Sequence, residues 1–183
     1  QGACFFTSVV NYLRIEHLVK KHLYKKQKID IIDDIYIPNL NGNSIKFGGN
    51  TLIEDAKLLR EMVCKWLLVN KDTVFMRDDL GVKTFKEFLT DRDEDDPFLS
   101  NFLTKRELRT VSDDQKYVKY IKYMRNYGSY SGPMEAHAIG RILNRNLTIF
   151  AQGKHRGVDH HYYYSTSVGL GVPEYRDKPA IGV

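Results

Sequence analysis

Cysteine is scarce in this sequence, and so are several features that would assign the chain to a specialised class of protein. The 183 residues include 2 cysteines, Cys4 and Cys64, too few for a disulfide framework, and this favours a reducing, intracellular setting. No apolar run approaches the roughly 18 residues of a membrane-spanning helix, and the first residues do not follow the pattern of a secretory signal. We therefore expect a cytoplasmic or otherwise intracellular protein with no membrane partner.

The excess of positive charge is also small. Lys and Arg number 28 against 23 Asp and Glu, which gives a formal net charge of +5 at pH 7. A lysine-rich stretch, residues 20–28, follows the first predicted helix, and a nucleic-acid interface there would show affinity that falls steeply with salt. The stretch matches no nucleic-acid-binding motif, so we interpret it as a solvated helix end and expect no nucleic-acid partner.

The composition is that of one folded domain. Apolar residues make up 42% and aromatic residues 12%, too many for a disordered chain. Periodicity predicts helices over residues 5–23, 52–70 and 133–143 and another that starts after Ser112, and strands near 29–37, 147–150, 160–165 and 180–183. Because helices come first and strands late, we predict a single α+β domain over residues 1–183, with a small central sheet flanked by helices.

Local signals mark where several of these elements begin. Capping boxes, in which a hydroxyl and a Glu or Gln side chain satisfy the first N–H groups of a helix, are predicted at Thr51–Glu54, Thr84–Glu87 and Ser112–Gln115. Pro133 is favourable as the first residue of a helix. Residues 39–50 are rich in Asn and Gly, which is typical of a loop or a hairpin.

Cys4 is the first candidate for chemistry. It lies two residues after Gly2 and directly precedes an amphipathic helix, whose first N–H groups and positive dipole end favour the nucleophilic thiolate. The same N–H groups can hold a developing oxyanion, and Gly2 lets the preceding loop approach closely. The alternative is a small buried hydrophobic residue, which is our interpretation of Cys64 in the second helix.

A cysteine nucleophile usually needs a base, and the chain has 6 histidines. His160 and His161 lie in a tyrosine-rich strand late in the chain, a recurrent layout in Cys–His hydrolases. Adjacent residues of a strand face opposite sides, so only one of the two can point toward Cys4. A zinc site built from His155, His160 and His161 lacks further ligands at a matching spacing, so we expect no metal.

Three segments together form a pattern. They are Gly2-Ala3-Cys4-Phe5-Phe6-Thr7-Ser8-Val9, then Leu59–Val63 followed by Asn70, and then residues 120–150 with Gly128-Ser129-Tyr130-Ser131-Gly132, Glu135 and Leu143–Leu147. In this order they resemble the nucleophile segment, the Leu-Arg helix and the Gly-[Thr/Ser]-Trp-Gly-Gly-x-x-Glu stretch of the ovarian tumour (OTU) family of deubiquitinating cysteine proteases.

The resemblance implies a papain-like OTU fold and the activity of a deubiquitinase. Such an enzyme hydrolyses, with a thiol, the isopeptide bond at the C-terminal Gly of ubiquitin or a ubiquitin-like protein. The resemblance implies Cys4 as the nucleophile and an oxyanion hole formed by the backbone of Gln1, Gly2, Ala3 and Cys4. It also implies ubiquitin and its conjugates as partners; we expect a monomer that needs no cofactor.

The chain departs from the family pattern at three places. Gln1 replaces the acidic residue three positions before the nucleophile, Thr7 replaces an arginine, and Tyr130-Ser131 replaces Trp-Gly. Because the family's oxyanion hole depends mainly on backbone N–H groups, Gln1 can serve there.

The catalytic base has more than one candidate. The family's histidine lies in a His-Tyr-[Asp/Asn] motif, and His161-Tyr162 supplies its first two residues, although Tyr163 stands where the acid or amide is expected. His160 replaces His161 as the candidate if the strand is shifted in phase by one residue.

Residues 174–183 offer a different solution, because they resemble the strand that precedes this motif. The base would then lie beyond Val183. The chain also begins without Met and ends on an apolar run, so we expect that it was excised from a longer chain. If no histidine serves, the alternative function is a catalytically inactive OTU-like module that binds ubiquitin.

Overall fold

A computed structural model describes residues 4–26, 35–38, 44–47, 51–78, 81–155, 158–165 and 180–182. Within these ranges the helices are α1 (Cys4–Lys26), α2 (Leu52–Val69), α3 (Phe85–Thr90), α4 (Lys105–Thr110), α5 (Asp113–Met124) and α6 (Pro133–Leu143), with a short 3-10 turn at Leu99–Asn101. The strands are β1 (Ile35–Pro38), β2 (Ser44–Phe47), β3 (Val74–Asp78), β4 (Gly81–Thr84), β5 (Asn146–His155), β6 (Val158–Ser165) and β7 (Ala180–Gly182). The predicted α+β class is confirmed.

The strands form three small sheets within the described part of the chain. β1 and β2 form one antiparallel pair, and β3 and β4 form another. In the third sheet β5 lies between β6, which is antiparallel to it, and β7, which is parallel to it. Helix α6 contacts β5, and α1 contacts both β1 and β7, so helices pack against strands from both ends of the chain.

Apolar side chains from five helices build most of the core. In α1 the buried residues Phe6, Val9, Val10 and Leu13 follow the helical spacing predicted from the sequence. They pack together with the buried faces of α2, α3, α5 and α6. Burial of these faces removes apolar surface from water, which is the main stabilising contribution to the fold.

The predicted capping boxes are all present. Hydroxyl and carboxylate or amide groups exchange hydrogen bonds with backbone N–H groups at the starts of α2, α3 and α5. A fourth box, Thr104–Glu107, opens α4, a helix that the sequence did not predict. Helix α6 ends at its C-terminus with Asn144, which adopts a left-handed conformation with φ of 53°. This residue turns the chain into β5.

Several boundaries differ from those predicted. Helix α1 extends to Lys26, and β5 extends to His155, well past the predicted strand at 147–150. The β3–β4 hairpin was not predicted, because strands of four or five residues carry too little periodicity. Most of the strand predicted at 29–37 lies outside the described residues.

Candidate active site

The two thiols lie in opposite environments. Cys4 is the first residue of α1 and is exposed, whereas Cys64 is fully buried in the core. Burial raises the pKa of Cys64 to about 12, which keeps this thiol protonated and unreactive. Cys64 therefore fills the core as predicted, and Cys4 is the thiol that a substrate can reach. The predicted oxyanion-hole residues Gln1, Gly2 and Ala3 lie outside the described residues.

Ion pairs fix the helix that carries Cys4. Arg14 of α1 pairs with Asp55 of α2, a carboxylate with no exposed surface. Glu16 accepts two hydrogen bonds from Arg145, of 2.7 and 3.0 Å, and Arg145 lies just before β5. The hydrogen bond from Arg145 is the main reason why the pKa of Glu16 lies below its ordinary value. These pairs hold α1 against α2 and against the start of the central strand.

Arg60 of α2 is a buried cation. Its side chain is 2% exposed, and its Nη1 donates hydrogen bonds to the carbonyl oxygens of Met124 and Asn126, at 2.8 and 3.0 Å. Its Nη2 donates to the carbonyl oxygen of Ser129 at 3.0 Å. Arg60 thus holds the end of α5 and the turn that follows it.

The same guanidinium reaches the first turn of α1. The Cζ atom of Arg60 lies 4.5 Å from the centre of the Phe6 ring, an arrangement typical of a cation–π contact. Phe6 is two residues after Cys4 and is fully buried. Consequently the three segments that resemble OTU motifs, those around Cys4, Arg60 and Ser129, meet at one side chain.

The turn that follows α5, residues 126–132, is fixed at its middle and at its last residue. The Ser129 hydroxyl donates to the carbonyl oxygen of Tyr123 at 2.6 Å, and the Gly132 N–H donates to Glu135 Oε2 at 2.7 Å. Between these anchors the Tyr130 side chain is 61% exposed. The turn therefore presents an aromatic ring to solvent on a fixed backbone.

Glu135 is the buried acid beneath this turn. It is 1% exposed and accepts a hydrogen bond from the Tyr120 hydroxyl as well as the one from Gly132. Burial raises the pKa of Glu135, while those two hydrogen bonds and the nearby charge of Arg60 oppose the rise. Glu135 links α5, α6 and the turn between them.

The histidine candidates occupy the third sheet. On the antiparallel pair of β5 and β6, His161 lies opposite Gln152 and His160 lies opposite Gly153. β5 separates β6 from β7, and β7 contacts α1. The strand predicted to precede a downstream base thus lies beside the helix that carries Cys4.

His137 has a structural environment. It is 3% exposed and packs against the rings of Phe75 and Phe85, whose centres are both 5.4 Å from its own. Its Nε2 accepts a hydrogen bond from Arg141 Nε at 3.1 Å. Burial lowers the pKa of His137 to about 3, so the imidazole is neutral near pH 7.

The acidic run at residues 91–96 behaves as a loop with ion pairs. Asp91, Glu94 and Asp96 pair with Lys83, Arg109 and Arg92 at 3.0, 3.1 and 2.8 Å, respectively. Across the described ranges, no group of three His, Cys, Asp or Glu residues is arranged to hold a metal ion.

The structural roles of two buried charged residues, Asp55 and Arg60, were not predicted from the sequence. Asp55 and Arg60 both lie within the apolar pattern of α2, and a charged residue at such a position is the available signal for a buried ion pair or carbonyl ligand. The partners of Arg60 are 64 to 69 residues away along the chain, so the sequence does not reveal them.

Comparisons of the chain with protein-family models, with curated proteins and with solved structures found no match. None of the helices in the described ranges has the length and apolar character needed to cross a membrane. What the geometry defines is an α+β chain with an exposed thiol at the start of a helix, packed beside a mixed sheet.

Proposed function

We propose that the chain is a cysteine isopeptidase with a papain-like OTU fold, which removes ubiquitin or a ubiquitin-like protein from its conjugates. The observation that carries this proposal is the convergence of three distant segments on Arg60. Chance matches to short motifs have no reason to meet in space, whereas motifs of one active site do. The exposure of Cys4 and the burial of Cys64 are consistent with a single nucleophile.

The reaction begins at Cys4. Its thiolate attacks the carbonyl carbon of the C-terminal Gly of ubiquitin, and a C–S bond forms as the carbonyl oxygen becomes an oxyanion. Backbone N–H groups of residues 1–4 hold this oxyanion, a contribution of about 3 kcal/mol in comparable sites. The C–N bond then breaks, and a histidine gives its proton to the departing lysine amine. Water hydrolyses the thioester and restores the thiol.

The base is either a histidine of β6, His161 or its neighbour His160, or a histidine that follows β7 beyond Val183. The contact between α1 and β7 favours the second position, because β5 separates β6 from β7. In both cases the imidazole must come within hydrogen-bond distance of the Cys4 sulfur in the substrate complex.

A ubiquitin probe with a C-terminal propargylamide tests the proposal. It is incubated with residues 1–183 and with a chain extended natively past Val183, and adducts are weighed by mass spectrometry. We expect the adduct in the Cys64→Ala variant and its loss in the Cys4→Ala variant. Labelling of neither chain, or labelling that persists in Cys4→Ala, would contradict the proposal.

The same assay separates the candidate bases. Loss of labelling in His161→Ala, but not in His160→Ala, would assign the base to His161. Labelling of the extended chain alone would assign it to a residue beyond Val183. Binding of unmodified ubiquitin without any labelling would instead support the inactive ubiquitin-binding module.

A further inference from the structure

Arg60 contacts both the first turn of α1, which begins at Cys4, and the turn at residues 126–132. We propose that Arg60 is a positioning residue for the Cys4 thiol, because it fixes the first turn of α1 relative to the turn at residues 126–132. The inference rests on the proposed function and adds to it that the turn at residues 126–132 flanks the C-terminal tail of the substrate.

The chemistry of the contact requires an arginine. A planar guanidinium can donate several hydrogen bonds from its edge while its face lies on an aromatic ring. Arg60 donates hydrogen bonds to the carbonyl oxygens of Met124, Asn126 and Ser129 while its Cζ atom lies 4.5 Å from the centre of the Phe6 ring. An ammonium group keeps the charge but cannot make all of these contacts at once.

The two segments that Arg60 joins are the first turn of α1, which begins at Cys4, and the turn that carries Tyr130. Phe6 lies in the first turn of α1, which begins at Cys4, so a shift of its ring moves the sulfur. Ser129 immediately precedes the exposed Tyr130, so a shift of its carbonyl moves the ring that faces solvent. A misplacement of about 1 Å between reacting groups can slow a reaction on the order of 100-fold.

Two further hydrogen bonds hold the turn against the neighbouring helices α5 and α6. The hydroxyl of Ser129 bonds to Tyr123 in α5, and Gly132 bonds to Glu135 in α6. Arg60 is a direct link between this turn and the first turn of α1, and we expect its replacement to change the position of one relative to the other.

The test is the rate at which Arg60→Lys reacts with the ubiquitin probe, in whichever chain length the wild type is labelled. We expect labelling to slow about 10-fold or more while the final labelled fraction stays that of the wild type. A purely structural role predicts the reverse, a smaller labelled fraction with an unchanged rate for the molecules that do react.

Arg92→Lys is the matched control. Arg92 also places its guanidinium over a phenylalanine, with Cζ 4.7 Å from the centre of the Phe98 ring, and it pairs with Asp96 at 2.8 Å. Arg92 makes these contacts around the acidic run at residues 91–96. We therefore expect the labelling rate of Arg92→Lys to stay within about twofold of the wild-type rate.

A second variant, Phe6→Leu, keeps the carbonyl bonds of Arg60 and removes the ring beneath it. Its labelling rate should fall in the same direction, and it decides the question if Arg60→Lys does not fold. Wild-type rates in the folded Arg60 and Phe6 variants would overturn the inference and leave the proposed function intact. A wild-type chain that the probe does not label would reject the proposed function, and the positioning role with it.

Discussion

Glu16 and Arg145 form a two-pronged ion pair across a separation of 129 residues in the chain. Glu16 lies in the middle of α1, and Arg145 lies in the turn between α6 and β5. Both side chains are largely covered, with 24% and 18% of their surface exposed. The pair is a direct polar connection between the helix that carries Cys4 and the central strand of the third sheet.

Replacement of Glu16 by Gln should destabilise the fold by about 1–2 kcal/mol at pH 7, because a partly buried, charge-assisted pair is lost. The pKa of Glu16 is lowered in the folded state, so its contribution is present above the ordinary carboxyl value of 4.5 and is lost as pH falls through the lowered value. Urea unfolding of wild type and variant at pH 7 and pH 3 measures both effects.

Glu61→Gln provides the control for this experiment. Glu61 pairs with Lys65 and Arg125 at 3.7 and 3.5 Å on the surface, where such pairs contribute little. Equal losses of stability in Glu16→Gln and Glu61→Gln would mean that the Glu16–Arg145 pair contributes no more to folding than a surface ion pair.

Tyr120→Phe should reveal the state of the buried acid beneath the turn. The Tyr120 hydroxyl bonds to Glu135 and helps to keep the pKa of that carboxyl from rising further. Its removal should cost about 1.5–3 kcal/mol when Glu135 is ionised and less when Glu135 is protonated. The loss of stability relative to wild type should therefore grow as pH rises from acid to neutral, as followed by denaturant unfolding.

Tyr117→Phe removes a comparable buried hydroxyl that donates to the neutral carbonyl oxygen of Leu67 at 3.1 Å. We expect a loss of about 1 kcal/mol that does not change with pH. If Tyr120→Phe shows the same flat profile as Tyr117→Phe, the proposed linkage to Glu135 is wrong.

His137 should make the fold sensitive to acid. Its pKa is lowered from 6.5 to about 3, so the unfolded chain binds a proton that the folded chain excludes, and stability falls as pH drops below 6.5. The slope from this residue is about 1.4 kcal/mol per pH unit until pH approaches the lowered value. In His137→Leu this contribution to the slope of the unfolding free energy with pH should disappear.

The measurement for His137 is the unfolding free energy between pH 7 and pH 4. His22→Leu changes an exposed histidine of α1 and should keep the wild-type slope. A His137→Leu variant with the same slope as wild type would show that the imidazole is protonated in the folded chain or not buried there.

The thiols should differ sharply in their reaction with iodoacetamide. Cys4 is exposed and should be alkylated in the folded protein, whereas Cys64 is buried with its pKa raised to about 12 and should react only after unfolding. Peptide mass spectrometry with and without urea counts both products. Alkylation of Cys64 under native conditions would place this residue at the surface and would remove the basis for a single reactive thiol.

The elements that the sequence predicted well are those specified by neighbouring residues. The apolar stripe of α1 and the capping boxes at Thr51, Thr84 and Ser112 depend on spacings of three and four residues, which helix geometry fixes. The burial of Cys64 followed from the same periodicity.

The contacts of the candidate site were harder to predict, because they join residues far apart in sequence. Nothing around Arg60 indicates that its hydrogen-bond acceptors are the carbonyl oxygens at residues 124, 126 and 129. Likewise, the order β6–β5–β7 depends on long-range pairing. A parallel neighbour for β5 from the last residues of the chain has no local signal.

The backbone conformation of Asn144 determines the direction in which Arg145 leaves the end of α6. A residue that kept right-handed helical angles would extend α6 by another step and rotate the next side chain by about 100° around the helix axis. The positive φ of Asn144 instead breaks this rotation and directs Arg145 toward Glu16. One backbone angle in a surface turn thereby places the side chain that adds a polar connection to the contact between α1 and the third sheet.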